Sequence, residues 1–178
     1  EIMLWENGTT QALTNNATAD RYPCIEGNLV AWQGRDGSSQ VAVFLYDGNT
    51  TRQLSTTPGN ATLTVPRISR QCIVWPANNP LGSNQEIFLW QQGVTTQITD
   101  NYRDNYEPHN IGNKIVWTHA DGHDEEIFFY NGKGVIAQLT NNSQNDNDPH
   151  FNGKAAVWVG FDGEDVEIYL FPGKTKLP

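Results

Sequence analysis

The chain has 178 residues, with 11 Lys and Arg against 20 Asp and Glu and a formal net charge of −9. That length supports one domain with a real core, residues 1–178. The acidity excludes a nucleic-acid footprint, and no apolar run approaches the ~20 residues of a membrane-spanning helix.

In chain order, the sequence opens on a strand-like run, "EIMLW" at residues 1–5, then a turn at Gly8 and a second run, "TTQALT". Such an opening is expected of a mature form or a fragment. The next unit, about 15–55, has a proline-started run at Pro23, a turn at Gly27 and "NLVAW" ending at Trp32. It continues with Asp36-Gly37, "AVFLY", Gly48 and "TTRQLS". The same order returns in residues 56–99 (Pro66, "CIVW" to Trp75, "EIFLW", Gly93, "TTQIT") and 100–140 (Pro108, "NKIVW" to Trp117, Asp121-Gly122, "EIFFY", Gly132, "IAQLT"). Residues 141–178 repeat it with Pro149, "KAAVW" to Trp158, Asp162-Gly163, "EIYLF" and Gly173.

The prolines and the tryptophans both recur at steps of 43, 42 and 41. Two registers locked at one period of ~40–45 residues, with four strand-like runs per unit, point to an all-β propeller. Asp-Gly and glycine turns between apolar runs are hairpin signals. The expected architecture is about four full four-stranded blades plus an N-terminal half blade, residues 1–14. It would be four- or five-bladed, or an arc of a larger propeller. In "EIFLW" both side-chain parities are apolar, so each sheet is expected to be buried on both faces, between neighbouring blades. All six tryptophans then read as packing residues, with Trp32, Trp75, Trp117 and Trp158 forming a structural ring. The unpaired half blade is expected to pack beside the last blade within the chain, or beside a second copy, because open apolar edges seek partners.

The polar tract "LTNNSQNDNDP" before Pro149 reads as the crossing from the outer strand of one blade to the inner strand of the next. Asn and Asp suit it because they hydrogen-bond local backbone and tolerate unusual φ. The whole pattern, "LTNN…D-x-x-P…G…VW…DG-x-x-EIYL", resembles the TolB-type (WD40-like) propeller repeat over essentially the whole chain. It departs in the inner hairpin. There the family usually writes Ser-Pro-Asp-Gly, and this chain has "EGN", "SRQ", "IGN" and "NGK". The resemblance implies an interaction platform in the periplasm or outside the cell, or an accessory domain of a larger hydrolase.

Candidate site residues follow from the register. His109 and His150 directly follow a repeat proline, and Cys24 and Arg67 hold the equivalent positions, so the four form a partial ring near the axis. Arg67 in that ring argues against a metal. Asp20, Asp104 and Asp146 sit in the crossings, but no stretch has a calcium-loop spacing. Arg21, Arg35, Arg67 and Arg103 lie in or near the same loops and would anchor carboxylates of a partner. The expected partner face is therefore Asp20, Arg21, Arg35, Arg67, Arg103, Asp104, His109, Asp146 and His150. No nucleophile-elbow or zinc-protease motif is present, and no catalytic residue, metal or cofactor is assigned. Cys24 and Cys72 are either bonded or, preferably, separate buried thiols. The expected function is a non-enzymatic scaffold binding a protein or glycan, as a monomer or homodimer, with a sugar-binding lectin and a hydrolase accessory domain as alternatives.

Overall fold

The computed structural model describes residues 1–55, 65–79 and 84–171. The turn expected at Gly173 and the run after it lie outside the described residues.

Among the described residues, all regular structure is antiparallel strand. A two-stranded hairpin comes first, β1 (Met3–Glu6) and β2 (Thr9–Ala12). The first blade is β3 (Arg21–Glu26), β4 (Leu29–Arg35), β5 (Val41–Tyr46) and β6 (Thr51–Gln53). The second is β7 (Arg67–Ser69), β8 (Cys72–Asn78), β9 (Gln85–Gln91) and β10 (Val94–Gln97). The third is β11 (Asn105–Ile111), β12 (Lys114–Ala120), β13 (Glu125–Tyr130) and β14 (Ile136–Gln138). The fourth has three described strands, β15 (Asp146–Phe151), β16 (Ala156–Phe161) and β17 (Val166–Phe171). Each blade is a meander in sequence order, so only the crossings between blades are long.

The turns are built as their text suggests. Asp36, Asp121 and Asp162 each accept the backbone N–H two residues on, closing Asx turns. The inner hairpin of the second blade has no glycine, yet Arg70 and Gln71 carry φ of 51° and 60°. That strain is offset in part by Gln71, whose N–H donates to Glu26 of the first blade at 3.0 Å.

The core lies between blades. On β9, Phe88 and Trp90 pack against Ala31, Val43 and Leu45 of the first blade. Ile87 and Leu89 pack the other way, against Ile115 and Trp117 of the third. The two apolar parities of β5, β9 and β13 thus serve two interfaces. Trp32, Trp75, Trp117 and Trp158 are buried, and each lies beside its cross-strand aromatic partner at 5.9–6.1 Å. Trp5 departs from the expectation for all six tryptophans. It is 70 % exposed, with no blade packed on its outward face among the described residues.

The half blade packs beside the first full blade, where Ile2 joins Val30 and Trp32. Among the described residues it does not pack on the last blade, as internal closure would require. Val166, Ile168 and Leu170 of β17 face solvent. The repeat explains this: β1 carries third-strand text one period before β5, so it takes the place next to β5. Among the described residues, the blades form an open arc.

Close approach makes Gly34, like Gly160 three blades on, obligatory. A Cβ on Gly34 would come within 2.6 Å of Asp20 Oδ1 and 3.0 Å of the Phe44 ring, whereas one on Gly37 would meet nothing within 4 Å. Gly34→Ala is expected to cost about 1–3 kcal/mol by overpacking, and Gly37→Ala close to nothing. Urea titration of the two variants checks this, and equal midpoints would contradict the packing described.

Candidate functional site

Two layers of polar residues surround the arc, and they behave differently. The first is the crossing belt. Thr14, Ser55, Thr99 and Thr140 use Oγ to accept the N–H of Ile2, Val43, Ile87 and Ile127, at 2.8–3.0 Å. The carboxylates of Glu1, Glu86 and Glu126 accept the N–H of Asn16, Asn101 and Asn142. Those asparagines in turn accept the N–H two residues on, from Thr18, Arg103 and Gln144. Asn16 and Asn142 also donate to Asp20 and Asp146. The belt ends on the tryptophans: Nε1 of Trp117 donates to Asn105 at 3.0 Å, and Nε1 of Trp158 to Asp146 at 2.8 Å. Glu86 and Glu126 are fully buried, and burial pushes both carboxyls above the usual range.

This belt is structural. Asp146 is buried within it, and Asp20 is half buried and held by Asn16. Their place on the expected partner face is taken up by internal bonds. Trp75 marks the gap in the scheme. Position three before its unit's proline is leucine rather than Asp or Asn, and Trp75 Nε1 has no partner among the described residues.

The second layer lies on the inner strands. Tyr22, Glu107 and Asp148, each directly before a repeat proline, have φ of 53°, 53° and 49°. The strand pairing slips at each of these points. A residue before proline normally stays extended, so these bulges are costly and re-aim the chain. The bulges at Glu107 and Asp148 frame a pocket of about 380 Å³ between the second, third and fourth blades, within the range of small-ligand sites. Pro76, Pro108, Pro149 and Val65 give it apolar walls, Arg67, Glu107 and Asp148 its charge, and His109 and His150 two imidazoles.

The two imidazoles lie 4.8 Å apart, centre to centre. His109 Nδ1 accepts the N–H of Phe151 at 3.2 Å, which fixes the neutral ring with its proton on Nε2. Burial, His150 and Arg67 push the His109 pKa from 6.5 down to about 4, against a smaller opposite pull from Asp148. Glu107 is held by the Thr118 hydroxyl at 3.2 Å and the Asp148 N–H at 3.0 Å. The Tyr106 hydroxyl donates to Glu125, whose second oxygen accepts from Asn147 of the fourth blade at 2.8 Å. Arg67 is exposed and has no ion pair among the described residues.

Of the expected ring, Arg67, His109 and His150 share this pocket. Cys24 does not line it: the thiol is half-buried in the first blade, 3.6 Å from the Ala31 carbonyl, and burial raises its pKa to about 11. Cys24 and Cys72 are unbonded. Arg103 and Asp104 lie elsewhere, at a shallow crossing with Tyr102, where Asp104 accepts the Gln85 N–H at 2.7 Å. Arg21 and Arg35 are exposed away from the pocket, and Arg35 donates to the Ser39 carbonyl. Glu107, Asp148 and Tyr106 were not singled out for this site by the sequence. Their signal is position: each lies one or two residues before a repeat proline. Among the described residues, no group of three or more His, Cys, Asp or Glu is placed to hold a metal ion.

No family model and no curated protein matches the sequence. Solved structures do. TolB from Acinetobacter baumannii is 16 % identical and superposes with a TM-score of 0.63, over 93 % of this chain and 44 % of that one. A protein assigned as TolB from Agrobacterium tumefaciens is 19 % identical, with a TM-score of 0.63, over 82 % of this chain and 58 % of that one. The β-propeller domain of the Trilobed protease from Pyrococcus furiosus, described as having an open velcro topology, is 7 % identical with a TM-score of 0.68, over 93 % and 54 %. The chain therefore spans about half the length of these structures. The register of prolines, tryptophans and crossings, together with these superpositions, makes the fold a TolB-like β-propeller.

Proposed function

We propose that the chain is a binding module and that the axial pocket is its recognition site, taking an extended segment of a partner protein. The observation that carries this is the convergence of Arg67, His109 and His150, from three successive blades, on one proline-walled cleft. Arg67 supplies a carboxylate anchor, the His109 Nε2 proton a neutral donor, and the prolines a flat apolar wall. The fixed carboxylates Glu107 and Asp148 favour a segment that also carries a cation. A location outside the cytoplasm accords with the TolB-type resemblance. A second reading, an accessory domain beside a catalytic one, draws on the similarity to Pyrococcus horikoshii acylaminoacyl peptidase, of which this chain covers 27 %. In that reading the same cleft contacts a peptide substrate.

The test is a panel of short peptides carrying one carboxylate and one amine, titrated by calorimetry. Arg67→Glu is expected to weaken binding at least tenfold, about 1.4 kcal/mol, while Arg35→Glu leaves it unchanged. Both positions are exposed, so neither threatens the fold. Equal effects of the two, or no binding by any peptide, would overturn the assignment.

A further inference from the structure

Glu86 and Glu126 hold the same place, one period apart, where their blade meets the next, and both side chains are fully buried. Each uses Oε1 to accept a crossing N–H, from Asn101 and from Asn142. Their remaining surroundings differ. Glu86 has two amide donors: Asn84 Nδ2 reaches Oε1 at 2.6 Å and Asn105 Nδ2 reaches Oε2 at 3.0 Å. The corresponding positions in the next unit, two before the glutamate and three before the repeat proline, are Asp124 and Asp146. The correspondence holds in space, since Trp158 Nε1 donates to Asp146 Oδ1 as Trp117 Nε1 does to Asn105 Oδ1. Two donors are thus replaced by two acceptors around a buried carboxyl.

The bonds record the replacement. Glu126 Oε2 and Asp124 Oδ1 are buried and have no hydrogen-bond partner among the described residues, whereas both oxygens of Glu86 are occupied. Asp146 spends its two oxygens on Trp158 Nε1 and Asn142 Nδ2. A bare buried carboxylate is costly, and its acid form turns one bare acceptor into a donor. Crowded carboxyls also resist ionising together. The electrostatics agree. Burial raises both glutamates, but Asn84 pulls Glu86 down, where the charges of Asp124 and Asp146 push Glu126 further up. The other ionisable groups nearby do not replace the lost donors. Asp121 adds negative charge, and Tyr169 of β17 lies on the far side of Asp146. Glu125 is bonded to Tyr106 and Asn147, His119 to Asn105, and Arg103 lies against Gly122. His123 is exposed.

We propose that Asp124, Glu126 and Asp146 hold one proton between them, carried on Glu126, and that this proton is a pH-sensitive latch between the third and fourth blades. While it is bound, Glu126 donates to a neighbouring carboxylate. When it leaves, like charges face each other across the junction from which β15 carries Asp148 and His150 into the cleft. The latch does not depend on what the cleft binds.

The test follows the side-chain carboxyl carbons of Glu86 and Glu126 by NMR as the intact chain is titrated with base. Glu126 is expected to hold its proton at least tenfold more tightly than Glu86. Asp146→Asn restores the amide and should weaken proton binding at Glu126 at least tenfold, leaving Glu86 unchanged. Asp124→Asn, at a half-buried loop position, should act in the same direction and carries the test if Asp146→Asn does not fold. Because the folded state holds this proton more tightly than the unfolded chain, the parent should lose stability as pH rises through the titration, and the Asn variants should lose less. Glu86 and Glu126 titrating together would overturn the proposal, as would Asn variants that leave Glu126 unchanged. A rise in the parent's melting temperature on adding calcium, abolished by Asp146→Asn, would also overturn it, by placing a cation where the proton is proposed.

Discussion

Trp117→Ala is expected to destabilise the fold by about 3–5 kcal/mol, the range for removing a buried tryptophan and leaving a cavity. The side chain is fully buried, packs against Ile87 and Leu89 of the preceding blade, and lies 5.9 Å from Phe128 across the strand. Its loss opens an interface between blades rather than a surface. It also removes a buried hydrogen bond, since Asn105 Oδ1 accepts the indole proton at 3.0 Å and keeps only its contact with His119 Nδ1 at 2.9 Å. The Trp75→Ala variant removes a similar area but strands no acceptor, because Trp75 Nε1 has none among the described residues. It should fall toward the lower end of the range. Asp121→Ala, which opens only the Asx turn to His123 and Asp124, should cost under about 1 kcal/mol. Chemical denaturation ranks the three. A Trp117→Ala midpoint equal to that of Asp121→Ala would contradict burial between blades.

The second large effect is a loss of stability in acid that depends on His109. Its pKa falls from 6.5 to about 4 on folding, so between those values the unfolded chain binds a proton that the folded chain refuses. The contribution is fully present above pH ~6.5 and is lost as pH falls toward 4. The shift corresponds to roughly 3 kcal/mol, reduced to about 1–2 kcal/mol because the ring is half exposed and screened. Protonation would also replace the acceptor that Nδ1 offers to Phe151 N–H with a donor. Glu86 and Glu126 act in the opposite sense. Their raised pKa values favour the fold in acid, and that contribution is lost as pH rises through them. Comparing the parent with His109→Gln cancels both, along with the lowered His119. The difference in unfolding free energy should shrink from pH 7 to pH 4 at the parent's expense. A difference independent of pH would contradict the buried, neutral imidazole.

The fold was legible because each unit repeats its punctuation. Proline, glycine turn, tryptophan and Asp-Gly recur at one spacing, and both-parity apolar strands such as "EIFLW" have no stable place except between two sheets. The crossings were legible only in part. Their Asn and Asp read as local turn formers, and they are. The bond from the Glu86 carboxylate to Asn101, however, spans 15 residues, and no local pattern contains it. It shows only when units are laid in register, where Glu1 and Asn16, and Glu126 and Asn142, stand in the same relation. Trp5 was misjudged for a different reason. Composition treats every strand tryptophan alike, and burial depends on whether a neighbouring blade exists. In the axial pocket, the position after the repeat proline places Arg67, His109 and His150 together but not Cys24. Glu107 and Asp148 were not legible there, because a positive φ before proline runs against the local preference and is set by tertiary packing.

The open arc with an unfilled half blade is tested most directly by native-state amide exchange on the chain alone. Met3 and Trp5 hold the same register positions as Phe88 and Trp90, whose partners across the strand are Trp75 and Ile73 of β8. The Met3 and Trp5 amides are predicted to exchange faster than those of Phe88 and Trp90 by about two orders of magnitude or more. Equally slow exchange at all four positions would contradict the open edge and show the half blade already completed.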